Sequence, residues 1–141
     1  MNSDGLLLDT AVFAYALGDE HPMKEPCMAL IAACASEVFR TFASIEMVQE
    51  VVHHRLRASG DRVSAAQVGR NVSAVCTLLN FHHEVLDLSL DLVEKVPTIH
   101  GRDAVHAATA LVYGIERIVS PDRAFDGIPG LSRVDPREFA R

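Results

Sequence analysis

Four acidic residues carry most of the chemistry this sequence could do. Asp9 ends a run of three leucines, Leu6 to Leu8, and is followed by Thr10. Glu50 lies on the second turn of a segment opened by Ser44, Asp103 heads an alanine-rich run, and Asp122 follows Ser120-Pro121. Carboxylates gathered at one place repel and raise each other's pKa unless a cation sits among them. Oxygen-only donors suit Mg²⁺ or Mn²⁺, ions that activate water and neutralise the charge growing on a phosphodiester. Taken singly, each acid has a plainer reading. Asp103 favours the positive end of a helix, Glu46 and Glu50 lie one turn apart on a face open to water, and Asp122 suits a turn.

The elements around the acids decide whether they meet. A short, wholly apolar run suits a strand buried on both faces, so residues 5–8 read as the first strand. A helix over 10–17 ends at Gly18, and Pro22 opens a second that runs to about 36. Residues 37–42 are β-prone and read as strand two. Ser44 is an N-cap for a helix over 45–58, with Ile45, Val48, Val52 and Leu56 as its buried stripe. Ser64 is a second N-cap candidate, for a helix over 65–80. Residues 84–89 read as strand three, 89–96 as a helix stopped by Pro97, and 103–113 as a helix with Gly114 just past its end. Strand four covers 116–120, a helical turn 122–126, and a weak edge strand 131–134.

Helices alternating with short apolar strands predict an α/β fold. Its central sheet is mostly parallel, has four to five strands and carries helices on both faces. Leu6–Leu8 is expected to be the central strand, with strand two on one side and strand four on the other. Ligands of such sheets lie at the carboxyl edge, where the helices also begin. All four acids are thereby placed on one rim.

Length and composition narrow the function classes. The 141 residues fit one domain, 1–141, and the net charge of −6 argues against coating nucleic acid by bulk electrostatics. Leu6 to Leu8 is too short for a signal h-region and no run reaches membrane-spanning length, so a cytoplasmic protein is expected. Cys27, Cys34 and Cys76 are odd in number, lack a CxxC pair and read as small buried apolar residues.

The histidines invite a metal reading of their own. Glu50-x-x-His53 and Asp103-x-x-His106 echo the ligand pairs of di-iron bundles, but those need long antiparallel helices that strands do not interrupt. His53 and His54 are expected on an exposed helix face, His82 and His83 in a loop before strand three, and His106 packed beside the acids. An aspartyl-phosphate hydrolase would want a second acid two residues after Asp9, and position 11 is Ala.

Four segments in order resemble one family. LLLDTAVFAYAL resembles the opening of PIN-domain proteins, where an apolar strand ends in Asp-Thr or Asp-Ser. The Ser44-to-Glu50 spacing, GRDAVHAATALVYG and IVSPDRAFDGIPGL resemble the segments that follow. The resemblance covers residues 6–131, and with little beyond the domain the chain is most similar to VapC-type toxins of bacterial type II toxin–antitoxin pairs. It implies a three-layer PIN-like domain and a metal-dependent endoribonuclease. It also implies a homodimer inhibited by a cognate antitoxin lying across the active-site groove, with larger assemblies formed on that antitoxin.

Residue by residue, Asp9, Glu50, Asp103 and Asp122 match the family's catalytic acids. Asp9, Asp103 and Asp122 are implied to hold Mg²⁺ or Mn²⁺, and Glu50 to complete the cage or orient the attacking water. Thr10 and Ser120 match hydroxyl positions, and Asp126 falls where some members carry a further acid. Arg102 and Arg123 flank two of the acids and are candidates to hold the RNA backbone. Two features depart from the pattern: Ser-Pro precedes Asp122 where Asn is commoner, and Glu46 is an extra acid, expected to face water. A PIN-like module without catalysis would be expected to lack one of the acids. An RNA-processing nuclease without an antitoxin is the other reading left open.

Overall fold

The computed structural model describes residues 4–139. Five parallel strands form its centre: β1 (Leu6–Leu8), β2 (Thr41–Ser44), β3 (Thr77–Leu79), β4 (Arg117–Val119) and β5 (Ser132–Val134), in the order β3-β2-β1-β4-β5. β1 is central. Leu6 lies opposite Thr41 and Leu7 opposite Phe42 on one side, and Leu8 lies opposite Val119 on the other. Among the described residues six α-helices flank the sheet: α1 (Thr10–Leu17), α2 (Lys24–Ala35), α3 (Ile45–Ser59), α4 (Arg62–Val75), α5 (His83–Lys95) and α6 (Gly101–Val112).

The two-residue period of a strand divides the leucines of β1 between two cores. Leu6 and Leu8 join Val12, Phe13, Leu30, Met47 and Val72, which come from α1 to α4. Leu7 joins Phe42, Val85, Leu92 and the buried alanines of α6 on the opposite face. The result is three layers, helix on sheet on helix, as expected. Ala104, Ala107, Ala108 and Ala110 are fully buried, so α6 lies close against the sheet and its first turn arrives at the carboxyl ends of β1 and β4. No helix among the described residues is long and apolar enough to cross a membrane. All three cysteines are buried free thiols, and burial pushes Cys27 and Cys34 up to about 11 and Cys76 up to about 12.

Several expected boundaries move. The strand expected at 84–89 is the first half of α5, and the third strand is Thr77–Leu79, inside what read as a helix over 65–80. Val85, Ser89 and Leu92 are the buried positions of α5, a spacing of four and three that belongs to a helix. The tract 77–79 is a strand because it pairs with β2, Ala43 opposite Leu78 and Ser44 opposite Leu79. His82 and His83 accordingly open α5 instead of preceding a strand.

Strand two is Thr41–Ser44, not 37–42: Glu37 adopts a φ of 60° and Val38 is exposed. The buried stripe of α3 is Met47 and Val51, and Ile45 is exposed. The N-cap of α4 is Asp61, whose side chain accepts the Ser64 N–H at 3.0 Å. α2 begins at Lys24, two residues past Pro22. Ser44 does cap α3, accepting the Met47 N–H at 3.1 Å.

Candidate active site

The rim where β1, β2 and β4 end carries buried polar side chains that hold one another. Asp9 stands at the N-cap position of α1, yet its carboxylate does not cap that helix. The backbone of Asp9 donates to the Val119 carbonyl at 3.1 Å, which ties it to β4. Its side chain is 4% exposed and accepts the Ser120 hydroxyl at 2.8 Å. Ser120 Oγ in turn accepts the Asp122 N–H at 3.0 Å. One fully buried serine therefore bridges two of the four acids.

Electrostatics records how close the acids are. Burial pushes the Asp9 carboxyl above its ordinary value, against the opposing charge of His106 and the Ser120 hydrogen bond. Asp103 lies in the first turn of α6, and burial together with the charges of Asp9 and Asp122 raises it to about 6. Burial would also raise Glu50, but the His106 hydrogen bond, the His106 charge and Arg102 outweigh it and hold Glu50 below its usual range. Asp103 thus lies within electrostatic reach of Asp9, Asp122 and Glu50, and Asp9 within reach of Glu50, although they come from four different parts of the chain.

The acids form an open cluster and not a finished cage. Asp122 is exposed, and one of its oxygens caps a 3-10 turn at Arg123–Phe125 by accepting the Ala124 N–H at 2.9 Å. Among the described residues no three His, Cys, Asp or Glu side chains stand in metal-ligating geometry. The donor chemistry nevertheless fits a hard divalent cation: every acid presents oxygen, and Asp103 bears a repulsion that a cation would relieve.

The residue that sequence reading under-weighted is His106. It is 1% exposed and lies one turn after Asp103 on α6. Burial pushes its pKa down, but Glu50, Asp9 and Asp103 outweigh this and leave it above the ordinary value. With both ring nitrogens protonated, Nε2 donates to Glu50 Oε1 at 2.7 Å and Nδ1 donates to Ser44 Oγ at 2.8 Å. Thr10 Oγ1 lies 3.3 Å from Nε2. The signal available in the sequence was the i, i+3 spacing of Asp103 and His106, which puts both on one helix face.

The remaining expected residues divide. Thr10 and Ser120 reach the cluster. Asp126 does not: it is exposed and pairs with Arg133 at 2.7 Å. Arg123 is exposed beside Asp122. Arg102 stands at the rim, its guanidinium 3.9 Å from Glu50 Oε2 and largely open to solvent. A groove of about 430 Å³ opens next to Glu50 between α3 and α6, lined by Glu46, Gln49, His53, Phe81 and Val105 among others. Glu46 is partly buried in its wall and does not simply face bulk water. His53 and His54 are exposed on α3.

Comparison with known proteins gives consistent relatives. The sequence profile of the PIN domain matches residues 6–131. The chain is 37% identical over 134 residues to Ribonuclease VapC7 of Mycobacterium tuberculosis, covering 93% of this chain and 91% of that protein. It is 26% identical over 129 residues to Ribonuclease VapC13 of the same organism, with 92% and 98% covered. FitAcB from Neisseria gonorrhoeae superposes with a TM-score of 0.73 at 19% identity, over 93% of this chain and 97% of that one. VapBC2 from Rickettsia felis, crystallised bound to a DNA fragment from its promoter, superposes with a TM-score of 0.71 at 16% identity, over 92% and 97%. Both structures share the fold.

Proposed function

The chain belongs to the PIN-domain family, and from that premise we propose that it is a VapC-type endoribonuclease, the toxin of a toxin–antitoxin pair, which hydrolyses phosphodiester bonds of cellular RNA at Asp9, Glu50, Asp103 and Asp122. The observation that carries this reading is the convergence of the four acids on one rim, with Asp9 buried there and bridged to Asp122 through Ser120. Its relatives over nearly the full length are named as VapC ribonucleases.

Asp9, Asp103 and Asp122 are the residues that would hold Mg²⁺ or Mn²⁺. Such an ion, when bound, supplies Lewis-acid activation of water and neutralises charge on the phosphate. The chain's own residues do the rest. Ser120 fixes one oxygen of Asp9 and leaves the other unclaimed by that hydroxyl. Glu50, held ionised, would complete the cage or orient the attacking water. Arg102 and Arg123 meet the RNA backbone from the rim, where exposed guanidinium groups suit phosphate. The negative net charge of the chain leaves RNA contact to such local groups.

A cognate antitoxin is the expected partner, laid across the groove beside Glu50, and assembly with it in the cytoplasm fits the buried free thiols. Pairing with a second copy is supported by Leu86, Leu90 and Val93, an exposed apolar stripe on α5. Cleavage of total cellular RNA by the purified chain in Mg²⁺ or Mn²⁺, and its suppression by the product of an adjacent small reading frame, test the two halves of the proposal. Cleavage without such a partner would favour an RNA-processing nuclease. A folded, metal-supplemented chain that cleaves no RNA would favour a binding module.

A further inference from the structure

The catalytic reading leaves His106 without a task, although it is one of the most deeply buried polar residues in the fold. We propose that His106 is a positioning residue: its Nε2 holds the Glu50 carboxylate in the working orientation, and Ser44 aims the ring through Nδ1. The inference rests on the ribonuclease reading of the same site.

Three observations support it. Glu50 is a long side chain on α3, half-buried at the groove wall, with several rotatable bonds to restrain. Its Oε1 is claimed by His106 at 2.7 Å, while Oε2 is turned toward Arg102 and the groove at 3.9 Å. The carboxylate is thus fixed by one oxygen and presents the other. The imidazole is not free to swing, because Nδ1 is engaged at 2.8 Å by Ser44 Oγ. Ser44 is in turn fixed as the last residue of β2 and the N-cap of α3, the helix that carries Glu50. Thr10, next to Asp9, closes on the same Nε2. One ring therefore connects the mounting points of Asp9 and Glu50 from a helix that also carries Asp103. Catalytic groups held by locked neighbours keep their geometry through the reaction.

The two nitrogens have separable tasks, and two substitutions separate them. In His106→Gln the side-chain amide takes the place of Nε2 and still donates to Glu50. In His106→Asn the shorter amide takes the place of Nδ1 and still donates to Ser44, leaving Glu50 loose. Both are polar and smaller than or similar to the ring, so a purely structural role predicts comparable losses.

The probe is a random-sequence single-stranded RNA with a fluorophore and a quencher, cleaved by the full chain in Mn²⁺. The expected result is a kcat within about fivefold of the unsubstituted chain for the Gln variant and a loss of about 10²-fold for the Asn variant, the size of a small misplacement of a reacting group. Apparent KM and Tm should differ little between the two. Equal losses, a better Asn than Gln variant, or a loss confined to KM or tracking Tm would overturn the proposal.

A second measurement does not put the fold at risk. In ¹⁵N-histidine spectra, Glu50→Gln should move the His106 Nε2 resonance more than Nδ1. An unmoved Nε2 would overturn the proposal even where cleavage is intact. An unsubstituted chain that cleaves no RNA would instead defeat the ribonuclease reading, and the spectra keep the two failures apart.

Discussion

Two surfaces of this molecule contradict the usual rule of apolar inside and polar outside, in opposite directions. At the rim of β1, β2 and β4, Asp9, Ser44, His106 and Ser120 are each at most 4% exposed. Each is matched: carboxylate to hydroxyl, imidazole to carboxylate and hydroxyl. Along α5 and the loop before it, Phe81, Leu86, Leu90 and Val93 are 40–57% exposed. Burying a polar group costs free energy unless it is hydrogen-bonded, and leaving large apolar groups in water forgoes burial energy. The rim places charge in a low dielectric where it can act on a substrate. Under the proposed pairing with a second copy, the flank is the apolar area that would make the contact. Substitutions of similar size should therefore act very differently at the two places.

The largest effect on stability belongs to the rim. Ser44→Ala removes the cap of α3 and leaves His106 Nδ1 without its partner. The expected cost is about 2–3 kcal/mol, combining a lost N-cap with an unpaired buried polar group, read from the urea midpoint. A cost below that of an ordinary surface change would mean that the hydrogen bonds of the rim contribute little.

The next effect has the opposite sign. Asp103 ionises at 3.8 when unfolded and at about 6 in the folded chain, so the folded state holds its proton more tightly. The resulting destabilisation is absent below pH 3.8, grows as pH rises toward 6, and is complete above it. In metal-free buffer at pH 7.5, Asp103→Asn should be more stable than the unsubstituted chain by about 1 kcal/mol, allowing for solvent screening of a partly exposed group. The difference should vanish below pH 4, as thermal melts across that range would reveal. A variant that is less stable at neutral pH would show that Asp103 is not repelled by its neighbours.

The smallest effect on the fold is expected at the flank. Leu90→Arg should change monomer stability by no more than about 0.5 kcal/mol, as at most surface sites, while shifting the mass measured by light scattering from dimer to monomer. A large loss of stability with unchanged mass would place Leu90 in the core of the fold and not at a contact surface.

The rim was more legible in the sequence than the flank, for a physical reason. A triple leucine ending in Asp, a serine N-cap and an Asp heading an alanine-rich helix are local signals, each set by a few neighbouring residues. Strand order around β1 followed from the same signals. In residues 65–96 the local signals compete. Leu78 and Leu79 fit the apolar period of the preceding helix, and only pairing with β2 makes them a strand. Val85, Leu86 and Leu88 fit a strand, and only burial of Val85, Ser89 and Leu92 against the sheet makes them a helix. Tertiary context decides such cases. His106 was placed beside the acids but given no partner, because its contacts with Ser44 and Glu50 join parts of the chain that sequence periodicity cannot relate.

Whether the acids of four elements make one hydrolytic site is decided by RNA cleavage with the unsubstituted chain and with Asp9→Asn, each in Mn²⁺ and in chelator. Asn can still accept the Ser120 hydroxyl and removes a carboxyl whose ionisation burial disfavours, so the variant should melt no lower than the unsubstituted chain. Chelator should abolish cleavage by the unsubstituted chain, and the variant in Mn²⁺ should lose about 10³-fold, the upper range for removing one electrostatic group from an active site. Undiminished cleavage by folded Asp9→Asn, or cleavage that persists in chelator, would contradict one hydrolytic site made by these acids.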